Sequence, residues 1–297
     1  MAIISHLQGG LGNQMFQYAM GRALSERYQT PLLLDCSWFK STPNGSTVRE
    51  FQLPLLKIPN IDSILKNQTL PLGRYGRILQ KIIPFGPLVL REKEGFKFDS
   101  KILSLGKDVR RNIHLIGYWQ SYKYINGIRP QLQIVFQSNS PISAHYEDYL
   151  QKITSTESTM VHIRRGDYVA LQSANQYHKP LEISYYLNAL KEMQTKKPST
   201  HFFVFSDDLV WAKKMLPKDL PITFIENAQT PEAAVQELQL MMHCKNHIIA
   251  NSSLSWWGAW LKKDSGGLIY APSRWIRDTK LNLDDLLPNN WNRLSTD

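Results

Sequence analysis

Only two cysteines occur in the 297 residues, Cys36 and Cys244, far apart and in no metal-ligand spacing. That argues against both a disulfide framework and a structural zinc site. No segment reaches the roughly 18 uninterrupted apolar residues that a spanning helix needs. The opening Met1-Ala2-Ile3-Ile4-Ser5-His6 lacks the basic and apolar regions of a signal peptide. The expected location is the cytoplasm. Low-complexity tracts and repeats of solenoid period are also missing. What remains is a globular composition, 42% hydrophobic and 20% charged, long enough for two domains with a core each.

Acidic residues are locally scarce. Residues 1–150 hold 18 Lys/Arg against 10 Asp/Glu, a balance of +8, whereas 151–297 hold 17 against 15, a balance of +2. Between Asp62 and Glu92 there is no acidic side chain. Lys66, Arg74, Arg77, Lys81 and Arg91 alternate there with Leu72, Tyr75, Ile78, Leu79, Ile82 and Phe85. Two readings fit: a patch for peripheral contact with an anionic membrane, or a solvated helix over the core. No nucleic-acid-binding motif accompanies the charge, so nucleic acid is not expected as a partner.

The order of elements predicts an α/β fold with parallel sheets. A strand Ile3–Leu7 leads through Gly9-Gly10-Leu11-Gly12 into a helix over about Asn13–Tyr28, then a strand Leu32–Asp35. The second half alternates more regularly. Strands are predicted at Thr159–Ile163, His201–Phe205, Ile222–Ile225, His247–Ala250 and Leu268–Tyr270, with helices between them. Short, continuously apolar strands separated by helices indicate a parallel sheet covered on both faces. A polar stretch over residues 137–157 marks the expected boundary, giving domains 1–150 and 151–297.

Three polar clusters follow directly on predicted strands: Arg164-Arg165-Gly166-Asp167, Ser206-Asp207-Asp208 and Asn251-Ser252-Ser253. In open α/β sheets the carboxyl edge of the strands is where ligands bind. Arginines beside helix N-termini suit a diphosphate. His162 and Arg164, two apart on a strand, share a face. The competing reading of the arginines is a structural salt bridge with Asp167. The turn Gly9-Gly10-Leu11-Gly12-Asn13-Gln14 is neither a phosphate-binding P-loop nor a complete dinucleotide fingerprint, since Met15 stands where a small residue is needed. Two readings stand: a tight turn that needs glycine for its own geometry, and backbone approach to a donor's sugar or phosphates at Gly10 and Gly12 with hydrogen bonds from Asn13 and Gln14.

Four stretches together resemble the α-1,2-fucosyltransferase family, glycosyltransferase family 11, and its bacterial members above all. They are Gly9-Gly10-Leu11-Gly12-Asn13-Gln14-Met15-Phe16-Gln17-Tyr18, His162-Ile163-Arg164-Arg165-Gly166-Asp167-Tyr168-Val169, Phe205-Ser206-Asp207-Asp208 and Asn251-Ser252-Ser253-Leu254-Ser255-Trp256-Trp257-Gly258-Ala259-Trp260. They stand in family order. The His-x-Arg-Arg signature is also similar to that of α-1,6-fucosyltransferases and protein O-fucosyltransferases. The resemblance implies a GT-B-like arrangement, two facing Rossmann-like domains, the first on the acceptor side and the second binding GDP-fucose. It implies inverting transfer from GDP-β-L-fucose to the 2-hydroxyl of a terminal β-galactoside, in a glycan such as O-antigen or a lipid-linked precursor, with no cofactor and no metal.

By position, the resemblance makes Arg164 the group that stabilises the departing diphosphate, with Arg165 supporting it. His162, Asp207 and Asp208 would hold the nucleoside, and Ser252 and Ser253 a phosphate. Gly10, Gly12, Asn13 and Gln14 would close over the sugar. Asp167 is the leading general base and His178 the second candidate; a mechanism without a strong base is the third option.

Each residue also has a plainer reading. Asp207-Asp208 suits a helix N-cap as well as a nucleoside. Trp256, Trp257 and Trp260 suit packing between helix and sheet better than a sugar platform. A lectin would account for the aromatic content but not for three phosphate-suited strand ends. An epimerase would need a complete glycine fingerprint and a Tyr-x-x-x-Lys helix, which the chain lacks.

Overall fold

The computed structural model describes residues 1–40, 49–66, 86–105, 111–165, 180–263, 266–276 and 281–296. They form two compact units, Met1–Phe136 and Gln137–Asp297, each built on its own parallel sheet. The chain is therefore α/β with two Rossmann-like units, the fold class of GT-B transferases.

The first unit runs β1 (Ile3–His6), α1 (Leu11–Tyr28), β2 (Leu32–Asp35), β3 (Leu65–Lys66), β4 (Leu88–Arg91) and β5 (Ile113–Ile116). Its strand order is β3-β2-β1-β5-β4. Gly21 lets α1 lie close on the sheet, because a Cβ there would come within 2.7 Å of Leu32 and 3.2 Å of Ser5. The acid-free stretch is flanked by strands: Lys66 ends β3 and Arg91 ends β4. Its centre, with Arg74, Arg77 and Lys81, lies outside the described residues.

The second unit runs α2 (Ala144–Ser155), β6 (Glu157–Ile163), α3 (Ile183–Lys196), β7 (Thr200–Ser206), α4 (Leu209–Met215) and β8 (Ile222–Phe224). It continues with α5 (Ala233–His243), β9 (Asn246–Ile248), α6 (Ser253–Trp260), β10 (Ile269–Pro272) and β11 (Asn292–Leu294). The sheet order is β11-β10-β9-β6-β7-β8, all parallel. Every residue of β6 from Ser158 to Ile163 is buried, as expected of a central strand covered on both faces.

The expected division after residue 150 cuts through α2, which belongs to the second unit. Buried Tyr146 ties that helix down: its hydroxyl donates to Glu237 (3.3 Å) and accepts the Ala228 N–H (3.0 Å). The structural boundary accordingly falls earlier, at Phe136/Gln137.

The tryptophans of α6 are core. Trp256 and Trp260 stack with centroids 5.4 Å apart, Trp257 packs edge-on against both, and all three are buried. Gly258 faces α5, where an added Cβ would lie 2.7 Å from Met241 Cβ, an atom held by the helix backbone. Gly258→Leu is expected to cost about 1–3 kcal/mol through overpacking. Calorimetry should show the melting temperature of the second unit falling by several degrees, and an unchanged transition would refute this packing argument.

Candidate donor site

The register of two neighbouring strands builds the densest polar cluster. β6 and β7 run parallel with Ile163 opposite Ser206, so the residues following each strand are brought side by side. Arg164 Nη1 lies 3.0 Å from Asp207 Oδ2, with the two side chains 26% and 23% exposed. Asp207 Oδ1 also accepts the Arg165 N–H at 2.8 Å. Arg165 Nε reaches Asp208 Oδ2 at 3.4 Å, and its guanidinium lies 4.0 Å from the centre of the Trp211 ring. Asp208 in turn caps α4 by accepting the Trp211 N–H at 3.0 Å. The N-cap reading of Asp208 is thus realised. Among the described residues, Arg164 pairs with Asp207 and Arg165 with Asp208, both at the β7 end; Asp167 and His178 lie outside the described residues.

His162, at the end of β6, is 6% exposed, and its Nδ1 has no hydrogen-bond partner among the described residues. Burial first, and then the Arg164 charge, lower its pKa to about 3. The imidazole is therefore neutral at physiological pH. It can donate or accept one hydrogen bond but supplies no positive charge.

The third cluster follows β9, the other neighbour of β6. Asn251 is buried and its Nδ2 donates to the Trp275 carbonyl at 3.0 Å. Ser252 is the N-cap of α6, and its side chain makes no capping hydrogen bond among the described residues. Ser252 and Ser253 are both partly exposed at its N-terminus. Three adjacent strands of one parallel sheet thus end at one edge in two arginines, two aspartates and a helix start whose N-cap side chain, Ser252, makes no capping bond among the described residues. Such an edge can hold an anion by charge and by helix-terminal N–H groups together.

The glycine turn of the first unit is organised differently. Gly9 has φ +79°, and a Cβ there would meet Asn13 Nδ2 at 2.8 Å. Gly10 begins α1 with open space where its side chain would be. Gly12 lies inside the first turn of the helix. Asn13 is partly exposed, and its Oδ1 accepts Gln120 Nε2 at 2.7 Å.

Gln14, expected to face the sugar, points inward and is fully buried. Its Nε2 donates to the Gly9 (2.9 Å) and Glu50 (2.8 Å) carbonyls, and its Oε1 accepts the Gln52 N–H (3.0 Å). Gln17, also buried, accepts the Gln8 N–H at 2.9 Å. These two glutamines satisfy backbone groups that the turn leaves unpaired, which is a structural use of the amide.

A second titratable cluster went unread in the sequence. His6 ends β1 and Asp35 ends β2, and the register sets them opposite one another. His6 Nδ1 lies 3.3 Å from Asp35 Oδ2, and its Nε2 lies 3.0 Å from His114 Nδ1. Burial lowers the pKa of both histidines, to about 4 for His114. The signal was available: each strand is apolar and ends in a titratable residue, as in the second half.

The family model described as Glycosyl transferase family 11 matches residues 95–295. The chain is 34% identical to an alpha-1,2-colitosyltransferase of Escherichia coli over 299 residues, covering 98% of each chain. The chain belongs to glycosyl transferase family 11. A second relative of this family 11 enzyme is the O-antigen biosynthesis glycosyltransferase WbnK of Escherichia coli, 30% identical over 94% of this chain and 98% of that one. Among solved structures, the NodZ alpha-1,6-fucosyltransferase soaked with GDP-fucose matches with a TM-score of 0.51 at 14% identity, covering 87% of this chain and 91% of that one. That similarity is one of fold. No helix among the described residues of the family 11 enzyme is long and apolar enough to cross a membrane.

Proposed function

We propose that this glycosyltransferase is an inverting α-1,2-fucosyltransferase, moving L-fucose from GDP-fucose to the 2-hydroxyl of a terminal β-galactoside in a glycan such as O-antigen. The observation that carries the reading is the Arg164–Arg165 pair at the edge of the second sheet, on the strand next to the one that leads into α6. A leaving nucleoside diphosphate gains negative charge in the transition state, and a guanidinium already in place stabilises it directly. In this reading the second unit binds the donor, no metal is required, and the first unit receives the acceptor. Asp167 is the proposed general base.

A second donor is favoured by a specific observation. The relative at 34% identity is named for transfer of colitose, while a galactoside 2-alpha-L-fucosyltransferase of Caenorhabditis elegans is 27% identical over 60% of this chain. Colitose in place of fucose keeps the same diphosphate chemistry and linkage.

The test is transfer to lactose and a panel of β-galactosides with EDTA present, from GDP-fucose, GDP-colitose and GDP-mannose. One of the first two donors is expected to yield an α-1,2 product by NMR, and GDP-mannose none. A requirement for added metal, or product from GDP-mannose alone, would overturn the reading.

A further inference from the structure

Trp211 is the third residue of α4, and its place follows from the cap. An N-cap carboxylate reaches the N–H of the third helical residue. The spacing Asp208-Leu209-Val210-Trp211 therefore seats an indole at the same strand end as the carboxylate. Asp208 Oδ1 accepts the Trp211 N–H at 3.0 Å, while its Oδ2 lies 3.4 Å from Arg165 Nε. The Arg165 guanidinium lies over the Trp211 ring, 4.0 Å from its centre. The three residues close a loop. One carboxylate holds both the edge of the guanidinium and the backbone of the residue whose ring carries its face.

The loop is anchored on every side. The Asp208 N–H donates to Ser206 Oγ at 3.0 Å, and the Arg165 N–H to Asp207 Oδ1 at 2.8 Å. Trp211 is partly exposed and packs against the apolar cluster that contains Val161, Ile163, Phe202 and Val204. Packing alone explains an apolar residue at this position, and leucine would serve it. Packing gives no reason for an aromatic face turned to a cation, an arrangement in which tryptophan attracts most strongly.

The loop leaves over the far end of the arginine. Neither Nη1 nor Nη2 of Arg165 donates a hydrogen bond among the described residues, and the side chain is 22% exposed. An arginine on a free stem must give up rotamer freedom to bind an anion. One clamped at Nε and on one face has already given it up. Its fork is then held in one plane, where two oxygens of a phosphate group can meet it together.

We propose that Trp211 is a positioning residue for an anion at this sheet edge: acting through Arg165, it fixes the plane in which Nη1 and Nη2 meet a diphosphate. The clamp is read from the geometry, and the diphosphate rests on the glycosyltransferase reading.

A double-mutant cycle on the full chain tests this, with affinities for GDP and for inorganic pyrophosphate measured by calorimetry and folding checked by circular dichroism. Trp211→Leu keeps an apolar side chain against the cluster; it is expected to weaken both ligands roughly ten-fold, about 1.4 kcal/mol. Trp211→Phe keeps an aromatic face and should stay within about three-fold of the unaltered chain. Arg165→Ala should also weaken both ligands. Adding Trp211→Leu to it should cost less than about two-fold more, because the indole has no guanidinium left to place. A tryptophan that only supports the fold would lower affinity by the same factor in both backgrounds, and that additive result overturns the proposal. An Arg165→Ala variant with undiminished affinity overturns it too, and can be read even where Trp211→Leu does not fold. Trp211→Phe as weak as Trp211→Leu has the same force. Binding of pyrophosphate but not GDP by the unaltered chain would remove the nucleotide-sugar reading, and the cycle run on pyrophosphate would then decide the positioning role. Binding of neither ligand removes both.

Discussion

Arg164→Ala is expected to lower kcat/KM for sugar transfer by about 10²–10³-fold while leaving the protein folded, as for loss of one preorganised charge-stabilising donor. The two halves of that expectation have separate causes. The Arg164–Asp207 pair lies at 3.0 Å, but both side chains are about a quarter exposed. Partly solvated pairs of this kind contribute about 0–1 kcal/mol to stability, so the melting temperature should barely move. A diphosphate gaining charge as its bond to the sugar breaks would depend on the same guanidinium far more strongly. Arg164→Lys should recover only part of the loss, because a lysine ammonium cannot present the planar fork that grips two phosphate oxygens. The corresponding change at Arg165 is less clean: its guanidinium packs on Trp211 and pairs with Asp208, the cap of α4, so it supports the local fold as well. Steady-state kinetics with GDP titration calorimetry on Arg164→Ala decides the matter. A fall in kcat/KM of less than about ten-fold, in a folded variant, would remove Arg164 from the diphosphate site.

The second unit was the more legible half because its strands are apolar throughout and end abruptly in polar residues. β6 to β10 all appear within a few residues of their expected positions, with helices between them as expected. The edge strand β11, Asn292–Leu294, escaped notice, since three residues of mixed polarity carry no periodic signal. In the first unit, β4 was hidden inside a basic, apolar stretch that fits a helix equally well by composition. The polar edge of the second sheet was legible as three strand ends, but its internal pairing was not. That Arg164 meets Asp207 depends on the register of β6 against β7, a long-range property absent from local pattern. Gln14 failed for a related reason. A polar residue in a glycine turn looks solvent-facing, and only the return of the chain at Glu50 and Gln52 supplies the backbone groups that hold it inside. The His6–Asp35–His114 cluster joins three strands distant in sequence, although the strand-end rule would have found two of its members.

Unfolding in denaturant is expected to become steeply easier as the pH falls from 7 to 5, because three buried histidines are neutral in the folded chain. Burial depresses the pKa of His162 and His247 to about 3 and that of His114 to about 4. In the unfolded chain each returns to about 6.5. Below that value the unfolded state binds more protons than the folded one, so stability falls with falling pH. The loss continues until the folded values near 4 and 3 are reached. Each histidine contributes about 1.4 kcal/mol per pH unit within that window. Three acting together reach about 4 kcal/mol per unit, a large share of the roughly 5–15 kcal/mol that holds a domain folded. His6, His201 and His243 are shifted in the same direction and add to the slope. Burial raises Glu92 and Glu237, which opposes it, since a carboxyl favoured in its neutral form gains stability as the pH drops. Those two carboxyls act from their ordinary value of 4.5 upward, so they blunt the lower part of the histidine window first. Urea midpoints at half-unit steps would trace the curve. His247→Gln retains a donor for the Met241 carbonyl, which His247 Nε2 now reaches at 2.8 Å. Where the three histidines dominate, it should flatten the slope by about a third, the share of one titrating group. A midpoint unchanged between pH 7 and 5 would mean that these histidines do not stay neutral in the folded chain.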